Sequence, residues 1–220
     1  MELIEALWQF HQRFVVRTRD SFVKGLRAAD EVWTLDTPAG GVGGFATVKV
    51  LQLRGGAPIT VIYTQWAFLD PAYRRQGFVH RVALRVWTRC KLRHPLRPVY
   101  WVFTASSVDA YIHMQRSMPV AYPRMNEPTP PEVRGVLNAA MGVLCPDEWD
   151  PATGTLRRNG EVRYLAGQAN IDDAHPDVVF YRSLNPHQWR GDSLGCIAPA
   201  TLQAAWRYIR RVRRGKPRAG

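Results

Sequence analysis

The spacing of apolar residues changes period several times along this chain, and each change predicts an element. Leu3, Leu7, Phe10 and Phe14 fall at helical spacing and predict a packed helix over residues 1–16; a second helix is expected from about Ser21 to Ala29. Val32 to Asp36 and Gly43 to Leu51 read as strands, separated by the turn residues Thr37-Pro38-Ala39-Gly40-Gly41. After Arg54-Gly55-Gly56, the run Ile59 to Leu69 is dense in β-branched and aromatic side chains and predicts a third, longer strand. Val79, Val82, Ala83, Val86, Trp87 and Cys90 then return to helical spacing. Pro98 to Phe103 is a compact strand candidate, and Thr104-Ala105-Ser106-Ser107 caps a helix over Val108 to Arg116.

Beyond Met125–Pro131, a Pro-rich connector, Glu132 to Val143 has a helical pattern and Pro146 to Asn185 is polar, with several Asp and Gly residues. Val178 to Tyr181 and Ser193 to Ile197 are read as two final strands, and Thr201 to Arg214 as a last helix. A meander followed by helix–strand–helix predicts an α/β fold: a mixed, mostly antiparallel central sheet flanked by helices, with a C-terminal elaboration. The 220 residues are expected to form a single domain, elaborated at about residues 125–177.

Composition narrows the function classes. No apolar run reaches the roughly 18 residues that a membrane span needs. Glu2 and Glu5 stand where an export signal would be basic. Cys90, Cys145 and Cys196 are far apart, odd in number and not at metal-ligand spacing, so no metal is expected and a reducing, cytoplasmic location fits. A formal net charge of +12 recruits acidic partners: nucleic acid, an anionic membrane surface, coenzyme A phosphates or an acidic carrier protein. Arg81, Arg85 and Arg89 form a ridge along one helix, and Arg207, Arg210, Arg211, Arg213, Arg214, Lys216 and Arg218 form a second basic cluster.

The most informative chemistry lies between the Ile59–Leu69 strand and the helix that follows. A loop opening a helix presents unpaired N–H groups and the positive end of the helix dipole, which together bind phosphate oxygens. Gly77 permits close backbone approach, and Arg74 and Arg75 add charge. The segment Arg74-Arg75-Gln76-Gly77-Phe78-Val79 resembles the pyrophosphate-binding signature of the GNAT superfamily of N-acyltransferases: Arg or Gln, two residues, Gly, one residue, then Gly or Ala. The approach Leu69-Asp70-Pro71-Ala72-Tyr73 is also similar to that family's. The departure is Val79, where the family has a small residue.

The resemblance implies an acyl-CoA or an acyl-phosphopantetheine as co-substrate, bound by Arg74, Arg75, Gln76, Gly77, Phe78 and Val79. Backbone groups near Phe68 and Leu69 would hold the pantetheine arm. It implies direct attack of an amine on the thioester, and an acid on the next helix for the leaving thiolate. Met114 stands where the family carries a tyrosine for that role; Tyr111, one turn earlier, and His113 are the candidates to replace it. Asp109 and His113 are spaced to meet on one helix face, and Tyr122 is a further candidate. Asp172, Asp173 and Asp177 form the densest acidic patch for amine recognition, with Gln65 or Tyr63 as strand alternatives. Gly191-Asp192-Ser193-Leu194 spells an esterase-like segment but lacks the later Asp–His pair.

Two donors remain open: acyl-CoA, or an acidic acyl carrier protein docking on the basic ridge. The eight tryptophans, with Trp66 and Trp101 on neighbouring strands, suit a wide acyl site, although aromatic residues more often form ordinary core. The expected function is transfer of an acyl group, medium or long chain included, to a primary amine of a small molecule, amino acid or peptide side chain. In general plan the chain is similar to amino-acid- and peptide-lipidating enzymes of this type. The competing class is a non-catalytic basic module that binds nucleic acid or phosphate on a GNAT-like fold.

Overall fold

The computed structural model describes residues 2–74, 76–165 and 172–214, with side chains of the last helix given at 202–206, 209 and 210. In chain order the elements are α1 (Glu2–His11), β1 (Val15–Val16), α2 (Arg19–Ala28), β2 (Glu31–Asp36), β3 (Val42–Leu53), β4 (Ile59–Leu69), α3 (Phe78–Arg93) and β5 (Val99–Ala105). They continue with α4 (Val108–Ser117), α5 (Pro131–Leu144), β6 (Trp149–Asp150), β7 (Thr155–Leu156), β8 (Arg163–Tyr164), α6 (Pro176–Leu184), β9 (Ser193–Pro199) and α7 (Leu202–Arg214). Short 3-10 turns occur at Pro71–Tyr73 and Gln188–Arg190. The architecture is mixed α/β. Strands hydrogen-bond in the order β2-β3-β4-β5-β9-β7-β6, and β1 pairs with β8. The sheet is mostly antiparallel, β2–β3, β3–β4, β6–β7 and β7–β9 among those pairs.

The chain divides into two compact units. Unit 1 comprises Met1–His11, Arg19–Trp101 and Pro199–Gly220, and unit 2 comprises Gln12–Thr18 and Val102–Ala198.

In unit 1 the register of β2, β3 and β4 assigns the two faces. Phe45 on β3 stands opposite Phe68 on β4 and Thr34 on β2, and its ring meets Phe22 of α2 and His11 of α1 at 6.4 Å. Pleat alternation puts Glu31 and Trp33 on the other face, where the guanidinium of Arg89 in α3 pairs with Glu31 and that of Arg85 lies 5.7 Å from the Trp33 ring centroid. Thus α1 and α2 cover one face of this ladder, and α3 covers the other. The first face carries an aromatic cluster in which Trp66 stacks on Phe22 within 5° at 5.3 Å, and buried His11 lies 5.4 Å from Trp66. Gly25 of α2 makes that packing possible: a Cβ there would stand 2.6 Å from Trp66 Cη2.

A β-bulge interrupts β4. Ala46 pairs with Ala67 and Val48 with Thr64, so Gln65 and Trp66 together oppose Thr47, whose Oγ1 accepts from Trp66 N at 3.1 Å. Alternation breaks at this point. Val61 and Tyr63 share a face with Phe68, although 63 and 68 differ in parity.

Unit 2 corrects two expectations. The first helix ends at His11 and does not reach residue 16; Phe14 and Val15 are buried, and Val15 and Val16 pair with Tyr164 and Arg163. Phe14 satisfies the helical period, but the β-branched pair that follows finds a strand partner far along the chain, supported by Leu165 N donating to Phe14 O at 2.8 Å. Val178–Tyr181 is helical, not a strand, and belongs to α6. His175 caps that helix, its Nδ1 accepting from Asp177 N at 3.2 Å, and Pro176 occupies the first turn. The expected elaboration contains α5 and the two-residue strands β6, β7 and β8, of which only the helix is legible in the sequence pattern.

Candidate functional site

The loop after β4 is held by one hydrogen bond to β3 and by several within itself. Asp70 N donates to Gly43 O at 3.0 Å, and the Asp70 carboxylate accepts from Ala72 N at 3.0 Å, starting the 3-10 turn with Pro71 in its first position. Exposed Arg74 donates from Nε to Leu69 O at 3.3 Å, and the Gln76 amide donates to Ala72 O at 3.2 Å. Arg75 lies outside the described residues. Gly77 is left-handed, at φ 76 and ψ 16, and precedes the first residue of α3. Gly77, as the N-cap residue, has no side chain with which to cap the opening N–H groups of α3. Gly77 O accepts from Arg81 N at 2.9 Å, and the Arg81 guanidinium donates to Gln76 O at 2.7 Å, placing a cation beside the helix start. Phe78 is buried against the core and Val79 is half-buried.

The three ridge arginines are not equivalent. Arg89 is engaged by Glu31 and Arg85 by the Trp33 ring, while Arg81 belongs to the loop. The sequence spacing places them on one stripe but carries no sign of the partners on β2. Cys90 is buried in α3, and that burial pushes its thiol above the usual range, as a small core residue. Trp66 and Trp101 are buried as well.

Tyr111 and His113 lie on α4, in unit 2, and the loop at Gly77 belongs to unit 1. Ser107 caps α4, accepting from Ala110 N at 3.2 Å as the sequence predicts. Tyr111 is buried, with its ring 5.6 Å from that of Tyr181, and its hydroxyl donates to Pro123 O at 3.1 Å. Burial drives its pKa well above the ordinary phenol range, so it keeps its proton at neutral pH. His113 is exposed, and its Nε2 lies 3.4 Å from Ser117 Oγ. Buried Tyr122 donates to Glu127 Oε1 at 2.8 Å, and this bond, ahead of burial, raises its pKa.

The other candidates are occupied locally. Asp172 accepts from Ala174 N at 2.9 Å, Asp173 pairs with Arg182 at 2.8 Å, and Asp177 Oδ2 lies 3.9 Å from His175 Nδ1. All three organise the approach to α6. In the esterase-like segment, Ser193 is buried and Asp192 accepts from Arg158 N at 2.7 Å, a structural role for both. Sequence reasoning missed Tyr181, whose hydroxyl donates to Ala105 O at 3.1 Å and accepts from Asn185 Nδ2 at 3.0 Å. It also missed Arg17, whose guanidinium burial destabilises, partly offset by Tyr164. Neither carries a local signal, since both depend on contacts remote in sequence.

Among the described residues, no group of three or more His, Cys, Asp or Glu side chains is placed to hold a metal, and no helix is long and apolar enough to cross a membrane. No family model matches the chain, and no curated protein matches it.

Proposed function

We propose that this protein is an N-acyltransferase that takes an acyl group from a phosphopantetheine thioester, as acyl-CoA or acyl carrier protein, and passes it to a primary amine. One observation carries the reading: a left-handed glycine without a capping side chain of its own opens α3 after the short loop that follows β4, with Arg81 beside it and Arg74 in the loop. Backbone N–H groups and a helix dipole suit a diphosphate there, and the resemblance of Arg74–Val79 to the GNAT signature supplies the donor class.

In the reaction the amine nitrogen forms a bond to the thioester carbonyl carbon. The attacking amine is neutral; once it has added, its nitrogen gives one proton to a base, the C–S bond breaks, and the departing thiolate takes up a proton. The resemblance assigns that last proton to α4. Tyr111 holds its proton at neutral pH because burial raises its pKa, which suits a donor and not a base. His113, exposed on the same helix, is the alternative.

The test is a thermal-shift series with free, acetyl-, octanoyl- and palmitoyl-coenzyme A, followed by thiol release in the presence of primary amines. A shift that Arg74→Ala diminishes, growing with acyl length, supports a long-chain donor. Absence of any shift with coenzyme A or with an acyl carrier protein, together with salt-sensitive binding of nucleic acid, overturns the reading in favour of a binding module.

A further inference from the structure

Four large apolar side chains stand in water around one junction of unit 1. Trp87 Nε1 in α3 donates to Ala200 O at 2.6 Å, and Ala200 N donates to Val99 O at 2.8 Å at the head of β5. Leu92 and Leu96 lie a few residues from that junction on the α3 side, and Leu202 and Trp206 a few residues beyond it in α7. Their exposures are 78%, 97%, 76% and 52%. Singly, such residues are unremarkable on a surface; grouped, they mark an interaction site.

Hydrogen bonds tie the turn that carries Leu96. Lys91 Nζ donates to Pro95 O at 3.2 Å and to Arg97 O at 2.7 Å, Arg97 N donates to His94 O at 3.2 Å, and the Arg97 guanidinium is held by Gln52. Leu96 therefore projects from a tied turn between two prolines. In α7, Ala204 and Ala205 are buried, whereas Leu202, Trp206 and Arg210 follow one another at four-residue spacing on an exposed stripe. The Arg210 guanidinium lies 5.3 Å from the Trp206 ring centroid. Arg93, next to Leu92 in the chain, is exposed, as is Arg210.

We infer that this end of unit 1 docks on an anionic phospholipid surface. Exposed apolar and cationic groups at one end of unit 1 match the two layers of such a surface, with leucine and tryptophan entering the acyl boundary and arginine meeting the headgroup phosphates. Nucleic acid would use the arginines and Trp206. It offers no partner for three exposed leucines, which neither stack on bases nor hydrogen-bond to them. The inference is independent of the acyltransferase reading, because none of these residues belongs to the loop at Gly77.

The test is co-sedimentation of the full chain with vesicles of phosphatidylcholine alone and of phosphatidylcholine mixed with phosphatidylglycerol. Binding to the mixed vesicles alone, weakened by added salt, is expected. The double variant Leu96→Ser/Leu202→Ser keeps every charge and should weaken partition by about tenfold or more, while Arg93→Glu/Arg210→Glu should abolish the preference for anionic lipid. Both variants change exposed positions, and unaltered thermal melting checks that they fold. The inference is overturned by failure to pellet with the mixed vesicles. It is equally overturned by unchanged binding of the serine variant, or by duplex or single-stranded DNA competing fully with the vesicles while binding the serine variant as well as the parent.

Discussion

Replacing Gly77 separates the strain of the loop from the anion binding proposed for it. At φ 76 an alanine meets the steric cost of the left-handed region, about 1–2 kcal/mol. For a chain of this length about 1 kcal/mol shifts the melting temperature by roughly 2–4 °C. Gly77→Ala should therefore melt roughly 2–8 °C below the parent, and Gly77→Asn, whose side chain tolerates this region, should lose less. Gly77→Glu incurs similar backbone strain, partly offset because a carboxylate at a helix N-terminus is favourable by about 0.3–1 kcal/mol. For the ligand the sign reverses. A unit charge about 4 Å from a phosphate oxygen repels it by about 1 kcal/mol in water and about 4 kcal/mol at an effective dielectric of about 20. A parent saturated at about 100 times its Kd gains about 2.7 kcal/mol from coenzyme A, so the glutamate should remove a large part or all of that stabilisation. The assay is paired thermal melting of parent, Gly77→Ala, Gly77→Asn and Gly77→Glu, with and without coenzyme A. Equal coenzyme A shifts in the parent and Gly77→Glu would refute the assignment of the helix start as the anion site.

Three further outcomes are expected. Tyr111→Phe should cost only about 0.5–1.5 kcal/mol of stability, because Gln115 Nε2 also donates to Pro123 O, at 2.7 Å, and keeps that carbonyl paired; if Tyr111 is the acid, kcat falls about a hundredfold or more with KM little changed, and unchanged kcat removes it from the chemistry. Gly25→Ala should destabilise by about 1–2 kcal/mol in urea unfolding, since the new methyl meets buried Trp66, which stacks on Phe22; overpacking costs about 1–3 kcal/mol and outweighs the better helix propensity of alanine. Asp150 has a folded pKa lowered chiefly by the Arg157 guanidinium. Its contribution is therefore complete above the unfolded carboxylate pKa and lost as pH falls through the folded value, so the melting difference between parent and Asp150→Asn should shrink in acid, and a difference that grows would contradict the ion pair.

The parts of the fold legible in sequence are those whose signal is local. Ile59–Leu69 is bounded as expected because a long β-branched and aromatic run lies between glycine and proline punctuation, and α3 follows from its apolar stripe. The loop at Gly77 is legible for the same reason, since a strand, a glycine and a helix are adjacent in the chain. What sequence leaves open depends on distant partners. Val15 and Val16 become a strand through Tyr164 and Arg163, and Val178–Tyr181 becomes helix through a histidine cap that outweighs its β-branched content. The stripe Arg81–Arg85–Arg89 reads as free charge until Glu31 and Trp33 of β2 are placed against it. Tyr111 is a helix position by pattern, but its burial and its bond to Pro123 come from the folded chain.

The bulge opposite Thr47 sets the phase of everything downstream on β4. Without the extra residue, Phe68 would turn from the aromatic cluster to the α3 face, because each residue of a strand reverses the side presented. The loop would also begin about 3.3 Å earlier along the ladder, beyond reach of the bond between Asp70 N and Gly43 O. Gln65 and Trp66 thus act as a spacer that lets one strand serve two clients, the hydrophobic interior at its middle and the turn that leads to Gly77 at its end. A chain with the same loop but without this spacer would place the glycine in a different frame, so the position of Gly77 is set by the bulge as well as by the loop.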